Sequence, residues 1–240
     1  MNMFFTSANP VIAAQSLADA HIGKMLVETV QMCVSAGRRH GALDEDLPLT
    51  KAGKPHKGGY HGHPMTRWVG DCKGNFDWAV AHGFALAYEW RHRFEDREPH
   101  FGETQMLAID DLNLGRYLRN LNPNFNTAGF SGPERIMCDA LSPFTKAYMT
   151  DPPRCFGPVF RDDYDVADVT LAYRAYLIWK YGTWAVDGRA PRWTHRSMPK
   201  WISAQIPAEG WFPKGAGKAE LMEPIFALAR DMFPWGEIPE

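Results

Sequence analysis

The sequence predicts a mainly α-helical fold, a compact single domain over residues 1–240 with long Pro-, Gly- and Trp-rich loops. Three observations predict it. Apolar residues recur at helical spacing through 16–36, 65–94 and 165–182. Asn9-Pro10 has the form of a helix start, an N-cap followed by proline at the first helical position. No internal repeat and no alternation of strand and helix patterns is present to build a parallel sheet.

Taken in order, the apolar start "MFFTSA" reads as a strand or an extended arm. A helix follows from Pro10 to Gly37, broken near Ser16, and then a Gly-, Pro-, Lys- and His-rich loop over 38–63. The second helix covers 65–94, with Trp68, Cys72, Phe76, Ala79, Phe84 and Leu86 among its apolar positions. Its second set of helically spaced positions holds Asp71, Asn75, Trp78, His82 and Glu89. A third helix is expected over 103–121 with an interruption near Gly115, then an irregular connection over 122–163. The helical core (10–121 and 165–182) is followed by a Trp/Pro-rich segment and a last helix, "KAELMEPIFALARDMF", within 183–240.

The 240 residues, 45% of them apolar, are enough for a sizeable core. No apolar run approaches the ~18 residues of a membrane span, and "MNMFFTSANPVIAAQ" lacks a secretory signal. A soluble, cytoplasmic monomer is therefore expected. Cys33, Cys72, Cys138 and Cys155 stand far apart, which suits reduced core residues better than a zinc site. The net charge of -2 counts against nucleic-acid binding. Yet 51–67 and 189–200 each carry four Lys or Arg and no acid. These stretches either form one groove for a phosphate backbone or are solvated loops.

Three places carry chemistry. His21, Lys24, Glu28, Gln31 and Ser35 fall within an arc of about 80° on an otherwise apolar helix. Such a stripe is either a thin edge shown to water or the lining of a cleft, where cations keep a carboxylate ionised. In the loop "GGYHGHPMTRW", His61, His63 and Arg67 suit phosphate contact at a helix start. The His-x-His pair lacks further ligands for a metal, and no metal or cofactor is expected. In "AYRAYLIWKYGTWA", Tyr173, Tyr176 and Lys180 share a face, while Arg174 projects elsewhere. Aromatic residues at this spacing are core, or a platform for unpaired bases; Trp193 and Trp201, among Arg192, Arg196 and Lys200, pose the same choice. No G-x-S-x-G elbow, Walker loop or dinucleotide fingerprint is present, which disfavours hydrolase, kinase and dehydrogenase readings of the usual kinds.

At "LADAHIGKMLVE" the chain resembles the phage pyrimidine-dimer DNA glycosylase/AP-lyase family of the endonuclease V type. That family has Leu-Ala-Asp-x-His near its start and a catalytic glutamate seven residues after the histidine. Leu17, Ala18, Asp19 and His21 match, and Glu28 holds the seventh place. The layout is also similar to longer phage proteins that carry this glycosylase name, through a Met-Asn start, His21, Lys24, Met25 and Glu28. His63, Pro64 and Trp68, and later Ala172, Tyr173 and Arg174, extend the likeness. The resemblance implies an endonuclease V-like helical core that distorts duplex DNA, with an acid at a basic cleft. It further implies attack on the sugar C1′ by the N-terminal amine freed when the initiator methionine is removed. An α-amine, with a pKa of about 7.7–8.0, is chemically suited to that role. Here residue 2 is Asn, large enough to make removal of Met1 inefficient, and Val27 and Gln31 replace the family's flanking arginines.

The combined expectation is a glycosylase-like enzyme that excises a damaged or modified pyrimidine from double-stranded DNA. Glu28, His21, Lys24 and Met1 would be catalytic, with the lyase step in question. His61, His63, Arg67, Arg174, Lys180 and Arg192 would contact DNA. Gln31, Asn75 and Trp78 would receive the extruded base. The alternatives are a transferase acting on a hydroxymethylated pyrimidine in phage-type DNA, and a non-catalytic DNA-binding or host-interaction protein.

Overall fold

The computed structural model describes residues 1–121, 149–155 and 168–204. The expected last helix and most of the connection 122–163 lie outside the described residues. The helices are α1 (Pro10–Ser16), α2 (Asp19–Arg39), α3 (Pro64–Val69), α4 (Lys73–Arg93), α5 (Phe101–Asp111), α6 (Val169–Val186) and the single turn α7 (Lys200–Ser203). Short 3-10 segments occupy Asp44–Asp46 and Leu114–Leu121. The fold is mainly helical, and no strand forms among the described residues. No helix among them is long and apolar enough to cross a membrane.

Local chemistry accounts for the helix ends. The Asn9 side chain accepts from Val11 N and Ile12 N, and Pro10 occupies the first turn. The break after Ser16 leaves backbone groups without helical partners, and distant residues satisfy them. Arg93 donates to Gln15 O and Leu17 O, the Trp193 indole donates to Ser16 O, and Ala18 N donates to the Tyr181 hydroxyl. The expected helix at 65–94 is two helices, with the turn at 70–72 between them. Asn75 braces that turn by donating to Trp68 O at 2.8 Å. The expected third helix likewise divides: α5 begins under a His100 cap, and Asn113, at φ 50°, turns the chain into the 3-10 segment. α6 is capped by Asp168, which accepts from Thr170 N and Leu171 N.

The core is one continuous apolar cluster in which α2 runs along α4, with α1, α3 and α5 around that pair. Gly83 makes the closest approach possible. A Cβ there would stand 2.7 Å from the Met106 side chain and 3.1 Å from Thr29. The "MFFTSA" segment is an arm and pairs with no strand. It is buried from Asn2 to Thr6, with Phe5 packed on Trp78 at 4.6 Å and Thr6 Oγ1 2.6 Å from Ser16 Oγ. Cys33 and Cys72 are buried, as the sequence suggests for core thiols, and Cys155 is half-buried; Cys138 lies outside the described residues.

A cluster of charges is buried where helices α2 and α4 meet the segment after α6. Arg93 and Glu89 are almost fully enclosed and joined at 2.9 Å. Glu89 also accepts two bonds from Arg196, and Asp19 takes Arg93 and the Thr194 hydroxyl. Every charge in this cluster has a partner, which is the condition for burying it.

Candidate functional site

The polar stripe of α2 faces protein along most of its length. Aromatic residues of α6 cover His21, the N-terminal arm covers Glu28, and the loop at Gly58–Gly59 covers Gln31 and Ser35. Gly58 has φ +76°, and a Cβ on it would stand 2.3 Å from Ser35 Oγ, so only glycine lets the loop lie this close. Ser35 Oγ closes the contact by accepting from Gly59 N at 2.9 Å. Lys24 alone in the stripe is well exposed.

Glu28 is the centre of the site. Its side chain is 15% exposed, enough to be reached and too little to be fully solvated. Oε2 accepts from the backbone N–H of Asn2 at 2.8 Å, and Oε1 lies 3.8 Å from Lys24 Nζ. The α-amino group of Met1 is one peptide away from that hydrogen bond, and Met1 Sδ lies 3.7 Å from Thr66 Oγ1 of α3. The Asn2 side chain holds the arm in this position: Nδ2 donates to Cys155 O, and Oδ1 accepts from Phe4 N.

Electrostatic effects on the neighbours describe a cationic surround with one acid in it. The pKa of His63 is lowered by partial burial and then by the N-terminal charge, with Glu28 pulling the other way. Lys180 is lowered by burial and then by Lys24, again opposed by Glu28. His21 falls to about 3 through burial, then Lys180 and Lys24, and is neutral. Lys180 Nζ sits 5.6 Å from the Tyr176 ring centre and 5.5 Å from that of Trp184.

Several expected site residues stand elsewhere. His21 does not hold Glu28: its Nδ1 lies 3.0 Å from the Tyr181 hydroxyl, and its ring packs among Phe4, Tyr181 and Trp184. It is a support beneath the site. Asn75 and Trp78 are not a base pocket. Both are fully enclosed, Asn75 bonded to Trp68 O and Thr150, and Trp78 donating to Ala8 O. Helical spacing put them on one face, and that face is core. Arg174 is half-buried, donates to Thr6 O and lies over Trp201, so it clamps α6 to the arm. The first backbone amide of α3 is not open to a phosphate, because His63 Nδ1 accepts from Met65 N at 3.2 Å. His61, Arg67 and Arg192 are exposed, and their side chains have no hydrogen bond among the described residues. Gln31 is half-buried beneath Gly59.

Sequence reasoning did not single out Asn2 or Trp184, and it left Tyr176 open between core and a platform for unpaired bases. Position 2 entered only as an obstacle to methionine removal, although the Met-Asn start was the signal available for it. Among the described residues, no group of three His, Cys, Asp or Glu is arranged to hold a metal ion. Comparison of the chain with protein-family models, curated proteins and solved structures found no match.

Proposed function

We propose that this protein is a glycosylase-like enzyme that breaks the N-glycosidic bond of a damaged or modified pyrimidine in double-stranded DNA. The observation that carries the reading is the Glu28 carboxylate, mostly enclosed, beside Lys24, Lys180, His63 and the chain's first peptide. Loss of a base leaves positive charge on the sugar, and a fixed carboxylate stabilises that charge as it develops. Lys24, His63 and the exposed Arg67 are suited to the flanking phosphates, which position a nucleotide without reading its base. Tyr176 and Trp184, both half-buried, take the place of the enclosed Trp78 as the rings available for stacking on an extruded pyrimidine.

The test is release of free base from duplexes carrying pyrimidine dimers or phage-type modified pyrimidines, with wild type and Glu28→Gln side by side. Activity unchanged by Glu28→Gln removes the carboxylate from the mechanism, and no release from any such duplex removes the glycosylase reading. The runner-up is a transferase that alters a hydroxymethylated pyrimidine and keeps the glycosidic bond. It is favoured by one feature: while Met1 is attached, the nitrogen facing Glu28 is a peptide N–H, which does not attack a sugar. The mass of the DNA product separates the two. Salt-sensitive binding with no change in DNA mass would instead indicate a non-catalytic DNA-binding protein.

A further inference from the structure

We infer that Lys180 is the amine that attacks the sugar, forming a covalent imine with C1′ while Glu28 carries its protons. The inference rests on the glycosylase reading and names the nucleophile that reading leaves open.

Besides the Met1 α-amine, three nitrogens stand near Glu28, and their chemistry differs. The nitrogen of Asn2 is an amide with its lone pair delocalised into the Met1 carbonyl, and the Asn2 side chain is tied down at both ends. Lys24 is 66% exposed and held at 3.8 Å from the carboxylate, the arrangement of a solvated partner charge. Lys180 is half-buried on α6, between the rings of Tyr176 and Trp184, and forms no ion pair among the described residues. An amine flanked by two rings is where a base stacked on either of them would bring its own C1′. Burial and the charge of Lys24 draw its pKa below the ordinary lysine value, which enlarges the neutral fraction able to attack. His21, packed against Trp184 at 4.8 Å, stiffens this wall.

The step balances as follows. The Nζ lone pair forms a bond to C1′ as the glycosidic bond breaks and its electrons leave with the base. One of the two amine protons passes through Glu28 to the departing base. The nitrogen then expels O4′, which takes the second proton, leaving a Lys180–C1′ imine and an open sugar. No oxidant or metal is consumed. With an abasic sugar the same amine adds to the C1′ aldehyde and releases water.

The experiment uses the full chain and a duplex with one abasic site, treated with sodium borohydride to reduce an imine to a stable amine, and the crosslinked peptide is mapped by mass spectrometry. The expected result is one adduct, on the peptide containing Lys180. Trapping should fall by at least about 100-fold in Lys180→Arg, which keeps the charge, and persist in Lys24→Arg. Wild-type mapping does not depend on any variant folding, and circular dichroism with a thermal melt checks the Lys180→Arg chain. An adduct on Met1, Asn2 or Lys24, or no adduct at all, overturns the inference. Base release from modified duplexes, measured in parallel, reports on the underlying reading. Release without an adduct sinks Lys180 alone, and an adduct on Lys180 without release upholds the amine while sinking the proposed substrate.

Discussion

The backbone nitrogen of Asn2 donates to Glu28 Oε2 at 2.8 Å across 26 positions of sequence, so the first peptide of the chain and the middle of α2 belong to one site. The contact persists whatever the side chain at position 2, because it is made by the main chain. The side chain decides something else, namely how firmly the arm is held there.

Glu28→Gln keeps the size of the side chain and an oxygen able to accept from Asn2 N, and it removes the charge. Base release should fall by about 10²- to 10⁴-fold, the range for loss of a positioned acid–base group. Thermal stability should change little, since the residue keeps its hydrogen bond. A comparable loss of stability and activity would mean that the carboxylate is structural.

Asn2→Ala removes the bonds to Cys155 O and from Phe4 N. The expected cost is about 1–3 kcal/mol by urea denaturation, from one buried and one partly buried hydrogen bond at ~1 kcal/mol each and the Phe4 N–H and Cys155 carbonyl left without them. Base release should drop with it, because the arm carries one wall of the site. Wild-type stability in this variant would show that the arm is held by Phe4 and Phe5 alone.

Acid should begin to destabilise the protein below pH 6.5, above the range in which ordinary carboxylates protonate. His21 and His82 are both lowered from 6.5 to about 3, chiefly by burial, so each is neutral when folded and protonates more readily when unfolded. A depressed folded pKa gives stability that is fully present above pH 6.5 and is lost as pH falls from there toward 3. The slope is roughly 1.4 kcal/mol per pH unit for each histidine. His82 stacks on Trp78 at 4.9 Å, with no hydrogen-bond partner for either ring nitrogen among the described residues. His82→Phe should therefore flatten the acid limb of a stability–pH curve, and an unchanged limb would show that His82 does not contribute to it.

Glu89 and Arg196 separate two kinds of charge loss. Arg196→Ala frees the segment after α6 but leaves Glu89 bonded to Arg93, and should cost about 1–3 kcal/mol. Glu89→Ala leaves the enclosed Arg93 guanidinium with only Asp19 and backbone carbonyls, and should cost roughly 3–5 kcal/mol. Equal urea midpoints for the two variants would contradict this ranking.

Gly58→Ala forces a side chain into φ +76° and against Ser35 Oγ. The loop must move off α2, and His63, five residues on, moves with it. Stability should fall by about 1–3 kcal/mol, with a larger fractional loss of base release than in a Leu43→Ala control on the exposed part of the preceding loop. Equal effects at the two positions would leave the Gly58 contact without a role in the site.

Helices were legible in the sequence wherever their signals are local. Asn9 and Pro10 mark a start, and the i, i+3, i+4 spacing marks α2, α4 and α6, because capping and helical periodicity depend on neighbours within one turn. The turn at 70–72 was less legible: Cys72 caps α4 without a side-chain bond, and what braces the turn is Asn75, a residue the periodic pattern places simply on a face. The stripe on α2 was legible as five polar residues in a row, but not as a cleft or an edge.

By itself the sequence determined that this chain would be mainly helical, with one acid, Glu28, beside Lys24 in a polar stripe on an apolar rod. Only the tertiary structure decided that Asn2 would meet that acid, that Tyr181 would take His21 away from it, and that Asn75 and Trp78 would be enclosed. The physical reason is that helix formation is a property of adjacent residues, whereas burial belongs to whichever distant segment comes to lie on top. For Glu28 and Trp78 that segment is the first eight residues, for Asn75 the residues around Thr150, and for His21 the helix that begins at Val169.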